Sequence, residues 1–545
     1  MREVDRLTVQ NHQVSSLELM DSAAAACLQA VTTHFGGDLS ARKIQILCGP
    51  GNNGGDGAAL ARQLSLLDVQ IDVILFGKVD DTHGDARHNF EALANLNSSD
   101  RVADLNFIEC PNSKQWREIA AGASSYDVIV DALFGTGLKR PLTGVFVEVV
   151  NYLGSSKNGQ SSSPGPLIIS VDIPSGLDAD EAQPIGPAVT ADLTVTFTAP
   201  KLANVLPPAS NLNGKLVIAD IGSPAALIDK AQSELFLTEE KDAREFLIST
   251  RYLPDSFKNT HGHVLVLAGS RGYTGAAVLC ANAAMRSGAG LVTVATPVSS
   301  QNAAAAAVMP EVMTTALAET DRGAISDEAI DHVTALMANV NAVAIGPGIS
   351  ATDERTRRFV HAVVTQRQTV LVIDADALNC LSPWPADLQG PEEAPLILTP
   401  HAGEMLRLMG TTDKSALDDR VAVARAFATR HKLILVLKGS RSLIAAPDGR
   451  VFINPTGNAG LGTAGAGDTL TGVIAGFIAQ SAGTLKEKAN PLAATIAALY
   501  VGGLAGDFAA QKLGMRTMVA SDIREHLSEA IRSLDPKGER PNSNQ

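Results

Sequence analysis

A single acid, Asp468, sits in NPTGNAGLGTAGAGDTLTGVIAG, residues 454–476, where small residues surround it just ahead of a helix-compatible run. Glycines in such a turn let the backbone approach a phosphate closely and free N–H groups at a helix start to point at an anion. An aspartate there can take a proton from a hydroxyl as that hydroxyl attacks a phosphoryl group; the plainer reading is a tight turn in which Asp468 caps the helix. TPHAGE, residues 399–404, follows the strand-like PLIL and opens a helix, which gathers Thr399, His401 and Glu404 at a sheet's carboxyl end. KGSRS, residues 438–442, follows LILVL, and an ordinary exposed lysine after a strand is the plainer, lesser alternative for Lys438 taken alone. In the first half, GPGNNGGDG, residues 49–57, joins KIQILC to a helix, a setting suited to a phosphate or pyrophosphate. It has no GKS or GKT ending and is not GxGxxG, which excludes a P-loop; a glycine turn without ligand is its plain alternative. DALFGTGLKRP, residues 131–141, and VDIPSGLDAD, residues 171–180, stand where neighbouring strands should end. Their acids, Asp131 and Asp172, serve as readily as helix caps or charge partners.

The elements that must position these residues form two α/β series. KIQILC, AALARQLSLL and VQIDVILF read as strand, helix, strand, and YDVIVDAL and PLIISVDI as further buried strands. Ser15 with Glu18 reads as a capping box for the preceding helix, and residues 154–166, GSSKNGQSSSPGP, as a solvated loop between a helix and a strand. A boundary falls near Leu237, where LTEEKDAREFLISTRYLPDSF reads as a charged, helical linker. Then HVLVLAG, LVTVATP, AVAIGPG, TVLVIDADAL, PLILTPH and LILVLKGS follow as apolar runs, most of them leading into helix-like stretches. The expected fold is α/β throughout, with one Rossmann-like three-layer domain over residues 1–235 and a second three-layer domain over 240–540. In both, the polar and glycine residues come just after strands, where open parallel sheets place ligands.

Composition agrees. Of the 545 residues 45% are hydrophobic, 19% charged and only 4% aromatic, so the cores must be built from Val, Ile, Leu and Ala. A net charge of -14 disfavours nucleic acid and anionic membranes, and a phosphorylated ligand needs local backbone help. Cys27, Cys48, Cys110, Cys280 and Cys380 lie far apart without metal or disulfide spacing, which fits a reducing compartment. The first residues carry no signal-type apolar run, and no stretch approaches the length of an uninterrupted membrane helix, so a cytoplasmic protein is expected.

The Asp468 turn resembles the Gly-X-Gly-Asp anion hole of ribokinase-like kinases, and KGSRS resembles the nucleotide-contacting segment of that superfamily. AGSRGYTGAA at 268–277, GPGIS at 346–350, TPHAGE, KGSRS and the Asp468 loop come in an order resembling the ADP-dependent NAD(P)H-hydrate dehydratases, over about residues 240–530. The resemblance implies a ribokinase-like domain in which ADP phosphorylates the ring hydroxyl of the hydrated nicotinamide and phosphate then leaves, releasing AMP. It further implies hydrate contacts at Ala276, Gly348, His401 and Asp468, and ADP contacts at Lys438, Gly439, Ser440, Arg441, Ser442 and Gly467, with Asp468 as base. Thr469 departs from the more apolar residue expected after the acid.

The three first-half loops together resemble the NAD(P)H-hydrate epimerases. That implies hydrate contacts at Asn52, Asn53, Gly54, Gly55 and Asp56, at Gly135, Thr136, Gly137, Leu138, Lys139, Arg140 and Pro141, and at Asp172. It implies a potassium ion on Asn53, Asp131 and Ser175, oxygen donors suited to a hard cation. Asp172 is the expected acid/base group interconverting the R and S hydrates at ring carbon 6. The joint expectation is a bifunctional repair enzyme acting on NADHX and NADPHX with ADP, Mg2+ accompanying the nucleotide, and a homo-oligomer as the assembly. The alternatives are a vitamin or small-molecule kinase in the second half and a non-catalytic binding module in the first.

Overall fold

The computed structural model describes residues 2–12, 14–97, 104–122, 125–157, 165–230 and 233–535. The chain forms two compact units, Met1–Gln232 and Ser233–Gln545. The first holds seven strands: β1 (Lys43–Cys48), β2 (Gln70–Leu75), β3 (Leu105–Glu109), β4 (Val128–Ala132), β5 (Leu167–Val171), β6 (Leu193–Phe197) and β7 (Lys215–Ala219). They pair in parallel in the order β3-β2-β1-β4-β5-β6-β7. Alternate residues of one strand enter different cores. Ile44 and Ile46 pack with Leu19, Leu60 and Phe90, whereas Leu47 packs with Trp116, Val149 and Leu153. A strand buried on both faces must be apolar along its whole length, which is why these strands read as continuous runs.

The second unit has ten strands: β8 (Leu235–Leu237), β9 (His263–Leu267), β10 (Leu291–Pro297), β11 (Met313–Leu317), β12 (Ala342–Ile345), β13 (Val370–Ile373), β14 (Leu396–Leu398), β15 (Ile434–Leu437), β16 (Leu443–Ala445) and β17 (Val451–Ile453). Their order is β11-β10-β9-β12-β13-β14-β15-β16-β17-β8, parallel except at the two pairings made by β16. One face carries the helices Thr274–Arg286, Ala466–Leu485 and Pro491–Leu513, built largely from Ala, Gly and Val. Their small residues set a close approach: a Cβ on Gly472 would lie 2.1 Å from the Cys280 carbonyl oxygen.

In each sheet the strand order reverses once near the middle, between β1 and β4 and between β9 and β12. A crevice opens there because the connections leave toward opposite faces. The loops 49–57, 131–141, 268–277 and 346–350 come at the ends of these four strands, and the remaining chemistry-bearing loops follow β5, β14, β15 and β17.

Four expectations change. The Ser15–Glu18 box opens the following helix, Ser16–His34, because a side chain can accept only from the free amides of a helix that begins beside it. The segment expected as a linker is folded: β8 pairs with β17, and the helix Glu240–Ser249 buries Ala243, Phe246 and Leu247. Lys157 still belongs to the helix Val145–Lys157, so Gly154–Lys157 is helical, while residues 158–164 of the expected loop lie outside the described residues. Finally, the helix Pro491–Leu513 is long and apolar enough to span a membrane, contrary to the expectation from sequence; 67% of its apolar window is buried inside the protein. The helix is apolar on most of its surface because it is packed inside the core of the second unit.

Candidate active sites

The first unit holds a cavity of about 1050 Å³ at its switch point. Asn52, Asn53, Asp56, Gly135, Thr136, Gly137, Leu138, Lys139, Arg140 and Asp172 line it together. Gly54, Gly55 and Pro141 do not. A Cβ on Gly54 would fall 1.8 Å from the Gly49 carbonyl oxygen and one on Gly55 2.8 Å from Ala86 Cα. These glycines seat the helix Asn52–Leu64 on its neighbours, while Gly51 at its N-cap has open space and leaves the helix start accessible. Lys139 is held by Asp178 at 2.6 Å and Asp180 at 2.7 Å, which ties the 135–141 loop to the 171–180 loop. Lys139 is thereby engaged in pinning the cavity wall.

Asp172 follows β5 with φ +69°, a left-handed conformation that a non-glycine residue adopts only when its surroundings impose it. Those surroundings are buried. Lys201 Nζ donates to Asp172 Oδ1 at 2.5 Å, and Thr196 Oγ1 lies 3.2 Å from the same oxygen. Lys201, in TAPK after β6, was not singled out from sequence, although its place just after a strand matches the other site loops. Asp5, from the helix Arg2–Asn11, also reaches the cavity.

Asp131 and Ser175 are fully buried and do not line the cavity. Asp131 Oδ2 accepts from Ser170 Oγ at 2.8 Å and from the Ser175 amide at 2.9 Å. Burial pushes its carboxyl up, opposed by these hydrogen bonds. Asn53, nearly buried, leaves its Nδ2 without a partner, and its Oδ1 lies 2.8 Å from where a Cβ on Gly135 would stand.

In the second unit all five segments meet at the strands' carboxyl ends. Ala276 and Gly348 are neighbours, 3.0 Å apart at the positions of Ala276 Cβ and a Cβ on Gly348, and Ser270 Oγ donates to the Gly348 carbonyl at 2.8 Å. The Lys438 amide donates to the Pro400 carbonyl at 2.8 Å, joining KGSRS to TPHAGE. Gly439, Ser440 and Arg441 are exposed. Arg441 has φ +57° and donates to the Pro455 carbonyl, and Ser442 Oγ donates to Gly439 O at 3.3 Å. Arg420 Nη1 supports this turn through Ser440 O at 3.1 Å.

The Lys438 ammonium lies 2.7 Å from Asp374 Oδ1 and 4.0 Å from Glu404 Oε2. Burial alone would lower its pKa, but Asp374 and Glu404 hold it above its ordinary value. Asp374 Oδ2 accepts from Thr471 Oγ1 at 2.7 Å. Burial works against the Asp374 charge, yet the Lys438 ammonium and these hydrogen bonds keep its carboxyl below the usual range. Asp374 was read only as part of a strand, since the ID in VLVIDADAL gives no local sign of a buried partner far along the chain. Gly467 leaves room beside the pair: a Cβ there would lie 3.3 Å from Lys438 Nζ.

Asp468 lies in the first turn of the helix Ala466–Leu485, half-buried. Burial first, then the charges of Asp374, Asp376 and Glu404, push its carboxyl up to about 7 against the pull of Lys438. His401 is the N-cap of Ala402–Leu408: its Nδ1 accepts from the Gly403 amide at 3.0 Å, and its own amide donates to Glu404 Oε2 at 2.9 Å. With Nδ1 accepting, a neutral ring carries its proton on Nε2, on an exposed side chain. Thr469 is buried and faces the Ala520 carbonyl at 3.5 Å, away from this chemistry.

Two family models match the chain. One described as NAD(P)H-hydrate dehydratase covers residues 264–529, and one described as YjeF-related protein N-terminus covers 16–203. The chain is 38% identical over 539 residues to the bifunctional NAD(P)H-hydrate repair enzyme Nnr of Moorella thermoacetica, covering 99% of this chain and 97% of that one. It is 30% identical over 514 residues to the enzyme of the same name from Escherichia coli, covering 94% and 89%. The solved ADP/ATP-dependent NAD(P)H-hydrate dehydratase of Bacillus subtilis, co-crystallised with ATP/Mg2+, is 29% identical and covers 55% of this chain and 99% of its own, with a TM-score of 0.47.

Proposed function

The chain belongs to the family of bifunctional NAD(P)H-hydrate repair enzymes, and we propose that it epimerises the R and S forms of NAD(P)HX and dehydrates the S form at the expense of ADP. Residues 1–235 are assigned the first activity and 240–540 the second. The observation that carries the dehydratase reading is Asp468, a carboxyl raised to about 7 at a helix start beside Gly467 and the Lys438 turn.

In this reading Asp468 takes the proton of the hydroxyl on ring carbon 6 as its oxygen attacks the β-phosphorus of ADP, with AMP leaving. Hydroxide is a poor leaving group and phosphate a good one, so loss of phosphate with a proton from the adjacent ring carbon restores the dihydropyridine. Ala276, Gly348 and His401 contact the hydrate. The Lys438–Ser442 turn and Gly467 contact ADP, largely through backbone N–H groups because the Lys438 ammonium is already engaged by Asp374. Mg2+ accompanying ADP would offset the charge of its phosphates.

In the first unit Asp172 is the acid/base group, and Asn52, Asn53, Asp56 and the 135–140 loop hold the hydrate. Potassium fits the donor set of Asn53, Asp131 and Ser175. All are hard oxygens, and Asp131 is a buried carboxylate with no basic side chain among the groups acting on it. A bound cation would offset that charge and order the loops around the cavity. The reaction takes place in the cytoplasm, in a homo-oligomer.

The test is an assay of NADHX with ADP on wild type and Asp468→Asn, together with equilibration of pure R hydrate. Wild type should yield NADH, AMP and phosphate, and Asp468→Asn should lose at least ~100-fold in dehydration while still equilibrating the epimers. A phosphorylated product without NADH would identify a kinase, and a folded first unit that leaves R hydrate unchanged would identify a binding module.

A further inference from the structure

Two carboxylates that line the 1050 Å³ cavity differ sharply in their partners. Asp172 Oδ1 is saturated by Lys201 Nζ at 2.5 Å and Thr196 Oγ1 at 3.2 Å. The three ammonium donors of Lys201 are all used, the other two on Thr196 Oγ1 at 2.9 Å and the Phe197 carbonyl at 3.1 Å. Lys201 is therefore fixed, and it fixes Asp172 in its left-handed conformation with Oδ2 turned toward Gly135, 3.3 Å from where a Cβ there would stand. Asp56 is the opposite case. It lies one turn beyond Asn53 on the same face of the helix Asn52–Leu64, the face from which Asn53 reaches Gly135, and it lines the cavity with Asp172. Among the described residues it has neither an ion-pair nor a hydrogen-bond partner.

We propose that these two acids divide the epimerase chemistry: Lys201 commits Asp172 to the anionic base, and Asp56, left without a cation, is the catalytic proton donor. This rests on the epimerase reading above. Carbon 6 of the hydrated ring bears both the hydroxyl and the bond to the ring nitrogen, so it is a hemiaminal carbon. Asp172 Oδ2 takes the hydroxyl proton, the C6–O pair becomes a carbonyl, and the C6–N1 bond breaks with its electron pair going to nitrogen. Asp56 gives its proton to that nitrogen. Rotation about the C5–C6 bond presents the other face of the aldehyde, nitrogen re-adds, its proton returns to Asp56, and the new alkoxide recovers its proton from Asp172. No oxidant or co-reactant is consumed.

The surroundings of Asp56 suit the duty. Burial, then the charges of Asp172 and Asp5, push its carboxyl well above the ordinary range, with Lys201 opposing; the thiols of Cys27 and Cys48 stand behind it. The other charges lining the cavity are Arg6, which is paired with Glu3, Lys139, which is paired with Asp178 and Asp180, Asp85 and Arg140. A buried acid without a cation beside one held by a lysine is how two chemically identical groups acquire different roles.

The experiment follows the approach of pure R-NADHX to its epimeric mixture, using the full chain and, as an integrity check on each sample, its dehydration of S-NADHX with ADP. Asp56→Asn should lower kcat for epimerisation by about 100-fold or more with KM within about threefold, and Asp56→Glu should retain activity within about tenfold. The wild-type rate should fall as rising pH removes the Asp56 proton, and Asp56→Asn should lose that limb. Lys201→Met should lower kcat, because Asp172 loses the ammonium that holds its carboxylate in place, while Lys201→Arg restores most of the rate. An Asp56→Asn chain that epimerises as fast as wild type, or one that keeps the wild-type basic limb, would overturn the proposal while leaving the epimerase reading intact. Failure of the wild type itself to equilibrate the epimers would instead overturn that reading.

Discussion

At the level of single residues, the second site sets two forces against each other. The start of the helix Ala466–Leu485 favours a negative charge on Asp468, yet burial and three neighbouring carboxylates raise its carboxyl to about 7. A base must be deprotonated, so the dehydration rate should climb with pH and level off above about 7, which a pH–kcat profile will show. The same shift predicts a stability effect. Because the folded value lies above the unfolded one, the stabilising contribution of the bound proton is present below about pH 4 and is lost as pH rises through about 7. Asp468→Asn should therefore raise the stability of the second unit at pH 8 by about 1–2 kcal/mol after allowance for solvent screening, and change it little at pH 4, as measured by urea unfolding. Asp374→Asn should act oppositely. It leaves the Lys438 ammonium buried without its nearest anion, a loss of about 3–5 kcal/mol, and it removes the largest carboxylate influence on Asp468, so the pH limb should move down.

At the level of elements, the glycines of one short run have two separate duties. Gly54 lets the helix Asn52–Leu64 sit against the Gly49 carbonyl, whereas Gly51 faces open space with φ -97°. Gly54→Ala should thus unfold or severely destabilise the first unit, by about 3 kcal/mol or more, while Gly51→Ala should change its melting by about 1 kcal/mol or less. Thermal melts of the two variants separate these outcomes. The strands containing the site loops were legible because fully buried parallel strands must be continuous apolar runs. The edge strands β3, β7 and β11 were not singled out because an edge has no such requirement, while β6, β16 and β17 lie inside their sheets and were hidden by the threonines of LTVTF and by a length of only three residues. The segment 237–257 misled for a related reason: its charges lie on the outer side of a helix whose Ala243, Phe246 and Leu247 are buried.

At the level of the whole molecule, the division into Met1–Gln232 and Ser233–Gln545 predicts that each unit folds when produced separately. Where the second begins matters. A fragment starting at residue 233 keeps β8 on β17, and one starting at 240 loses that edge strand and the cover it gives Val451 and Ile453. The longer fragment should melt several degrees higher, by about 1–2 kcal/mol of added stability, with dehydratase activity per folded molecule equal in both.

Much of the chemistry was set locally. A glycine-rich turn before a helix must be written in consecutive residues, so Asp468, the KGSRS turn, the 49–57 run and the 135–141 loop were all visible along the chain. What only the tertiary structure decided was pairing across distance. Lys201 meets Asp172 and Lys438 meets Asp374 because parallel strands bring their carboxyl ends side by side, whatever their separation in sequence. Such pairs decide which carboxylate holds its charge and which keeps its proton, since both burial and the nearest opposite charge depend on neighbours that the linear order does not contain.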